Sequence, residues 1–128
     1  MAPTQTELTP DALRLDAAKA VDEIAERLRE TTYRDLRRRG AVVGLSGGVD
    51  SSLVAFLCAR AFGPERVLGV LMPEGESAPD TLDLSQVSAD AAGVETVVED
   101  ITPILEAVGC YERRDAAIRT VMPEYGAG

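Results

Sequence analysis

Histidine and tryptophan are absent from this 128-residue sequence, lysine occurs once, at Lys19, and aromatic residues make up 4%. Each shortage removes a class of function. Without histidine there is no imidazole for a metal centre or for a nucleophilic triad, and Cys58 and Cys110 show no metal-ligand spacing. Both read as reduced, structural thiols. So few rings leave no evident stacking platform for nucleic acid. No apolar run approaches the roughly 18 residues that span a bilayer, and the polar first residues predict no signal peptide. A cytoplasmic protein is the expectation.

Positive charge is the other shortage. Thirteen Lys and Arg face 22 Asp and Glu, a net charge of −9 that opposes binding to nucleic acid and to anionic membranes. Residues 1–40 hold eight basic and eight acidic side chains, so the whole excess falls in residues 41–128, where the cations are Arg60, Arg66, Arg113, Arg114 and Arg119. An anionic ligand bound there has to be met by backbone N–H groups and a divalent metal. The length and an apolar content of 45% allow one globular domain.

What the sequence does have is a glycine loop. Gly44-Leu45-Ser46-Gly47-Gly48-Val49-Asp50-Ser51-Ser52 follows the apolar run from Ala41 and precedes Leu53 to Phe62, rich in helix formers. The order is strand, loop, helix. Two adjacent glycines permit a tight turn and bring bare N–H groups close to a ligand, while the helix adds its positive dipole end. That suits phosphate. A Walker loop would carry a lysine where this chain has Val49-Asp50-Ser51, so this is a different phosphate loop. The bland alternative is a glycine turn with a capping serine, in which Asp50 and Ser51 simply complement a helix start.

Residues 1–8 form a polar tail. Thr9-Pro10-Asp11 predicts a helix start, followed by an apolar stripe at Leu13, Ala17, Ala20, Val21, Ile24, Ala25 and Leu28. Thr31-Thr32-Tyr33 can interrupt it. Arg37-Arg38-Arg39-Gly40 reads as a basic C-terminus with its glycine, or as a contact for an anionic ligand or partner. Buried parallel strands are predicted at Ala41–Leu45 and Val67–Met72, and a third strand at Val94–Val98. A helix with Leu53, Val54, Phe56, Leu57, Ala61 and Phe62 on its apolar side stops at Gly63-Pro64, and another opens at Pro79-Asp80, runs through Leu82, Leu84, Val87 and Ala91 and stops at Gly93. Two shorter helices, Ile104–Val108 and Arg113–Val121, complete the chain. This alternation predicts an α/β, Rossmann-like three-layer fold with a parallel sheet.

The string Ser46 to Ser51, Ser-Gly-Gly-Val-Asp-Ser, resembles the pyrophosphate loop of the ATP pyrophosphatases, shared by NAD synthetase, GMP synthetase and asparagine synthetase. Val67-Leu68-Gly69-Val70-Leu71-Met72-Pro73, Ser77 and Val98-Glu99-Asp100-Ile101-Thr102-Pro103-Ile104 resemble the amino-terminal half of the ammonia-dependent NAD synthetase family. The resemblance covers roughly residues 18–128. It makes residues 9–128 an ATP-pyrophosphatase-like domain cut short at its C-terminal end, with the first strand left at a sheet edge.

The resemblance implies an amide ligase that adenylates deamido-NAD with ATP, releases pyrophosphate, and lets ammonia displace AMP. Gly44, Leu45, Ser46, Gly47, Gly48, Val49, Asp50, Ser51 and Ser52 would bind ATP, with Asp50 holding magnesium. Leu45, Leu71 and Met72 would hold the adenosine, with Ser77 nearby. No catalytic side chain is identified. The glutaminase of related enzymes needs a histidine-containing triad or a Glu-Lys-Cys set, so ammonia would arrive free or from an external source. A homodimer is implied, and the first helix is a candidate for that contact or for packing within its own domain. The alternatives are an amide synthase for another carboxylic acid and a non-catalytic ATP-binding module.

Overall fold

The computed structural model describes residue Asp11 and residues 14–126. Thr9, Pro10 and Leu13 of the expected helix start lie outside the described residues. The helix itself begins later: α1 spans Ala17–Glu30, with the Asp16 carboxylate accepting from the Lys19 amide at 3.1 Å as its N-cap. Residues 14–16 are not helical, so a continuous helix from Pro10 is ruled out. An Asp cap satisfies an otherwise orphan amide, which Pro10-Asp11 could not do from one turn upstream. The interruption expected at Thr31-Thr32-Tyr33 is present as a π turn over Thr31–Asp35.

Three five- or four-residue strands follow in one parallel sheet of order β1-β2-β3: β1 Ala41–Leu45, β2 Val67–Leu71 and β3 Glu95–Val98. Ala41 pairs with Val67, and Leu68 with Glu95. The crossovers are α2 Val49–Phe62 and α3 Thr81–Ala92, after which α4 Thr102–Ala107 and α5 Cys110–Arg119 close the described chain. Parallel strands flanked by helices make this a Rossmann-like α/β fold. β1 lies at an edge, as expected for a three-stranded sheet. Its burial is one-sided: Val43 and Leu45 are in the core, whereas Val42 is 70% exposed.

The core runs between sheet and helices, through Val43, Leu45, Val67, Leu71, Ala55, Cys58, Phe62 and Ala89. It corrects the apolar side of α2 read from the sequence. On α2 the buried residues are Ala55, Cys58, Ala61 and Phe62, while Leu53, Val54 and Phe56 are exposed. On α3 they are Ser85 and Ala89, while Leu82, Leu84 and Val87 are exposed. Small residues face inward because α2 and α3 touch each other as well as the sheet, and the Ser52 and Ser88 hydroxyls meet at 2.8 Å between them. A leucine there would hold the helices apart.

On α1 only Ala25 of the predicted stripe is buried, with Leu28 half-buried against the same core. The helix docks on α2 through Asp22, 3.1 Å from Arg60 Nε, and the π turn after it through an edge-on contact of the Tyr33 and Phe62 rings at 5.9 Å. Gly40 is also not a helix-capping glycine. The left-handed residue after the π turn is Arg37, with φ 52°, whereas Gly40 sits where β1 and β2 begin, with the Arg66 carbonyl against it. Cys58 is core, and burial pushes its thiol pKa up, so it stays protonated. Cys110 is exposed at the start of α5 and is not a packing residue.

Candidate functional site

Leu45 ends β1 and Val49 begins α2, so three residues turn the chain from strand to helix. Gly47 makes the turn with φ 72°, and a Cβ there would meet Leu84 Cβ at 3.0 Å and the Thr81 carbonyl at 3.1 Å. Both the backbone sign and the space demand glycine. Gly48 is different: it is the N-cap of α2 with φ −83°, and a Cβ would meet only Ser46 Oγ, at 3.4 Å.

Serines brace this turn from inside. Ser51 Oγ accepts from the Ser46 amide at 3.2 Å and lies 3.1 Å from Ser46 Oγ. Ser52 Oγ donates to the Gly48 carbonyl at 2.8 Å and meets Ser88, so its hydroxyl belongs to the α2–α3 contact. The Ser46 amide is therefore engaged. Among the described residues, the amides of Gly47, Gly48, Val49, Asp50 and Ser51 have no backbone acceptor, and they stand at the positive end of the α2 dipole.

Beside this loop, at the carboxyl ends of β1 and β2, lies a cavity of about 260 Å³. Gly44, Leu45, Ser46, Leu71, Met72 and Ser77 line it, all of them singled out from the sequence. Gly47 to Ser52 are brought alongside without lining it. Thr81, Leu82 and Ser85 of α3 also line it and were not anticipated. Ser85 is buried, with Oγ 2.8 Å from the Thr81 carbonyl and 3.4 Å from that of Leu45. The four-residue spacing of Thr81 and Ser85, which puts both on one helix face, was the available signal.

The loop after β2 forms the cavity's outer rim and is held in two ways. Ser77 closes it on itself: its amide donates to the Glu74 carbonyl at 2.9 Å and its Oγ accepts from the Glu74 amide at 3.0 Å. Tyr111 of α5 holds it from outside, donating to Glu74 Oε2 at 2.6 Å and accepting from the Gly75 amide at 3.3 Å. Arg114 adds an ion pair with Glu76 and lies 5.4 Å from the Tyr111 ring centre. The bond to Glu74 pushes the Tyr111 pKa up, and that of the Arg114 guanidinium is raised by Glu76 and Asp115.

The NAD synthase family profile matches residues 18–122. The chain belongs to the NAD synthase family. It is 55% identical over 116 residues to an NH(3)-dependent NAD(+) synthetase of Mesorhizobium japonicum, covering 91% of this chain and 36% of that relative. It thus spans about a third of the length of such NAD synthases. Among solved structures, the NH3-dependent NAD synthetase of Campylobacter jejuni, in complex with nitrate, aligns with a TM-score of 0.68 and 32% identity, over 77% of this chain and 42% of that one. The glutamine-dependent NAD+ synthetase of Acinetobacter baumannii, in complex with ADP, aligns with a TM-score of 0.59 and 28% identity, over 83% of this chain and 20% of that one.

The donor set of this chain fits magnesium in one way. Among the described residues no group of three or more Asp, Glu, His or Cys could hold a metal ion. Asp50 is exposed in the first turn of α2, with no cation within ion-pair distance among the described residues. A single carboxylate suits magnesium, which keeps several waters and takes its other oxygens from phosphate.

The Tyr111 bonds yield a prediction. Tyr111→Phe should leave the fold intact but free the loop Pro73–Asp80, seen as faster amide hydrogen exchange at Glu74 to Ser77. Its pKa is raised on folding, so its contribution is full below the ordinary phenol range and lost as pH rises through the folded value.

Proposed function

We propose that this chain provides the ATP-binding part of an ammonia-dependent NAD synthase. The observation that carries this is the Ser46–Asp50 loop, a strand-to-helix turn whose free amides open beside the cavity at the sheet's carboxyl ends. Membership of the family supports the same reading. At about 260 Å³ the cavity is slightly smaller than typical ligand pockets and suits the adenosine, leaving the phosphates over the loop.

Leu45, Leu71 and Met72 form the apolar wall for the base, and Ser77 stands at its rim. The amides of Gly47 to Ser51 donate to phosphate oxygens, with Ser46 and Ser51 fixing the turn. Asp50 would hold magnesium, which supplies positive charge to a polyphosphate in a strongly acidic chain. In the proposed reaction a carboxylate oxygen of deamido-NAD attacks the α-phosphorus and pyrophosphate leaves. Ammonia then attacks the acyl carbon, loses a proton, and AMP departs with the bridging oxygen. The chain's part is to orient the triphosphate and stabilise its charge, which is how most of such a barrier is lowered.

The test is mass spectrometry of products formed from deamido-NAD, Mg-ATP and nitrogen-15 ammonium. Labelled NAD in step with AMP is expected, and Asp50→Asn should lower kcat/KM for ATP by about 100-fold, close to the loss of one preorganised electrostatic contact. AMP formed only with a different acid would favour the amide-synthase alternative. ATP binding without AMP under any of these conditions would overturn turnover by this chain alone, leaving the loop assignment intact in a binding module or in one part of a ligase.

A further inference from the structure

We propose that the arginine run after α1 forms a second anion site, for a polyphosphate, at the opposite end of the sheet from the glycine loop. Arg37, Arg38, Arg39 and Arg66, with Tyr33, line a concavity of about 420 Å³. Arg37 to Arg39 lead into β1 and Arg66 into β2, so the concavity lies at the amino ends of the strands. The glycine loop follows the five residues of β1, roughly 16 Å away.

What singles out this cluster is its charge balance. The chain has 22 acidic side chains for 13 basic ones, and every other described arginine meets a carboxylate or a backbone carbonyl. Arg37, Arg38 and Arg39 are exposed and have no carboxylate within 4.0 Å among the described residues. Arg66 reaches Glu65 at 3.7 Å and Tyr33 Oη at 3.5 Å. The helix dipole ending nearby offers about half an elementary charge, too little to offset three guanidiniums.

Capping does not explain the cluster either. The left-handed position after the π turn is occupied by Arg37 at φ 52°, where glycine would serve a cap with less strain. Guanidinium forks pair bidentately with phosphate oxygens. Three consecutive ones on a small concavity suit anions packed as closely as those of a polyphosphate, more than carboxylates spaced along a peptide.

The site is read by nuclear magnetic resonance of arginine Nε–Hε groups in the nitrogen-15-labelled chain, titrated with inorganic tripolyphosphate without magnesium at 0.15 M salt. Saturable shifts are expected at Arg37, Arg38, Arg39 and Arg66. In Arg38→Gln/Arg39→Gln, whose exposed positions leave the amide spectrum otherwise unchanged, the Kd read from Arg37 and Arg66 should rise at least tenfold. Responses of the Ser46–Asp50 amides should stay as they are, which separates this site from the glycine loop. Shifts no larger than those from sodium chloride at matched ionic strength would overturn the proposal. So would equal affinity in the double variant, or polyglutamate acting where tripolyphosphate does not.

Discussion

Gly40→Ala is expected to destabilise the chain by about 3 kcal/mol or more, through a contact rather than a backbone angle. A Cβ at this position would stand 2.0 Å from the carbonyl oxygen of Arg66 and 3.0 Å from its carbonyl carbon. Neither is the mobile end of a side chain. Gly40 precedes β1 and Arg66 precedes β2, and these strands pair from Ala41–Val67 onward, so relieving the clash has to displace the start of the ladder. Urea unfolding followed by circular dichroism would show a markedly lower midpoint. A loss under 0.5 kcal/mol would mean that the strand ends are not packed as described.

The second large effect divides two neighbouring glycines. Gly47→Ala forces a side chain into φ 72° and against Leu84 and Thr81, so it should cost about 2 kcal/mol of stability and weaken ATP binding together. Gly48→Ala has an ordinary φ of −83° and one contact at 3.4 Å, so stability should change by less than about 0.5 kcal/mol. Its methyl group would nevertheless stand among the loop amides, and we expect ATP to bind at least tenfold more weakly, about 1.4 kcal/mol. Calorimetric titration beside thermal unfolding checks both. Equal loss of stability in the two variants would contradict the division.

The sequence was readable where local chemistry decides the structure. Ala41–Leu45 is the strand it was expected to be, Gly63-Pro64 ends α2, and Gly93 ends α3 in the left-handed conformation. It misled where packing decides. Leu53, Val54 and Phe56, and likewise Leu82, Leu84 and Val87, have the bulk that marks a buried face, yet close approach of α2, α3 and the sheet selects Ala55, Ser85 and Ala89 instead. The candidate site shows the same split. Its loop and strand-end residues are contiguous motifs, whereas Thr81, Ser85 and the anchoring Tyr111 reach it only through the fold. Gly40 is a further case, because the carbonyl that requires a glycine there belongs to a residue on the next strand's approach.

The central claim is that the loop from Ser46 to Asp50 receives the phosphates of ATP. Backbone amide shifts on titration with Mg-ATP test it most directly. The account predicts saturable changes largest at Gly47, Gly48, Val49, Asp50 and Ser51, with smaller ones at Leu71, Met72 and Ser77. Saturable ATP binding that leaves Gly47 to Ser51 unmoved would contradict it.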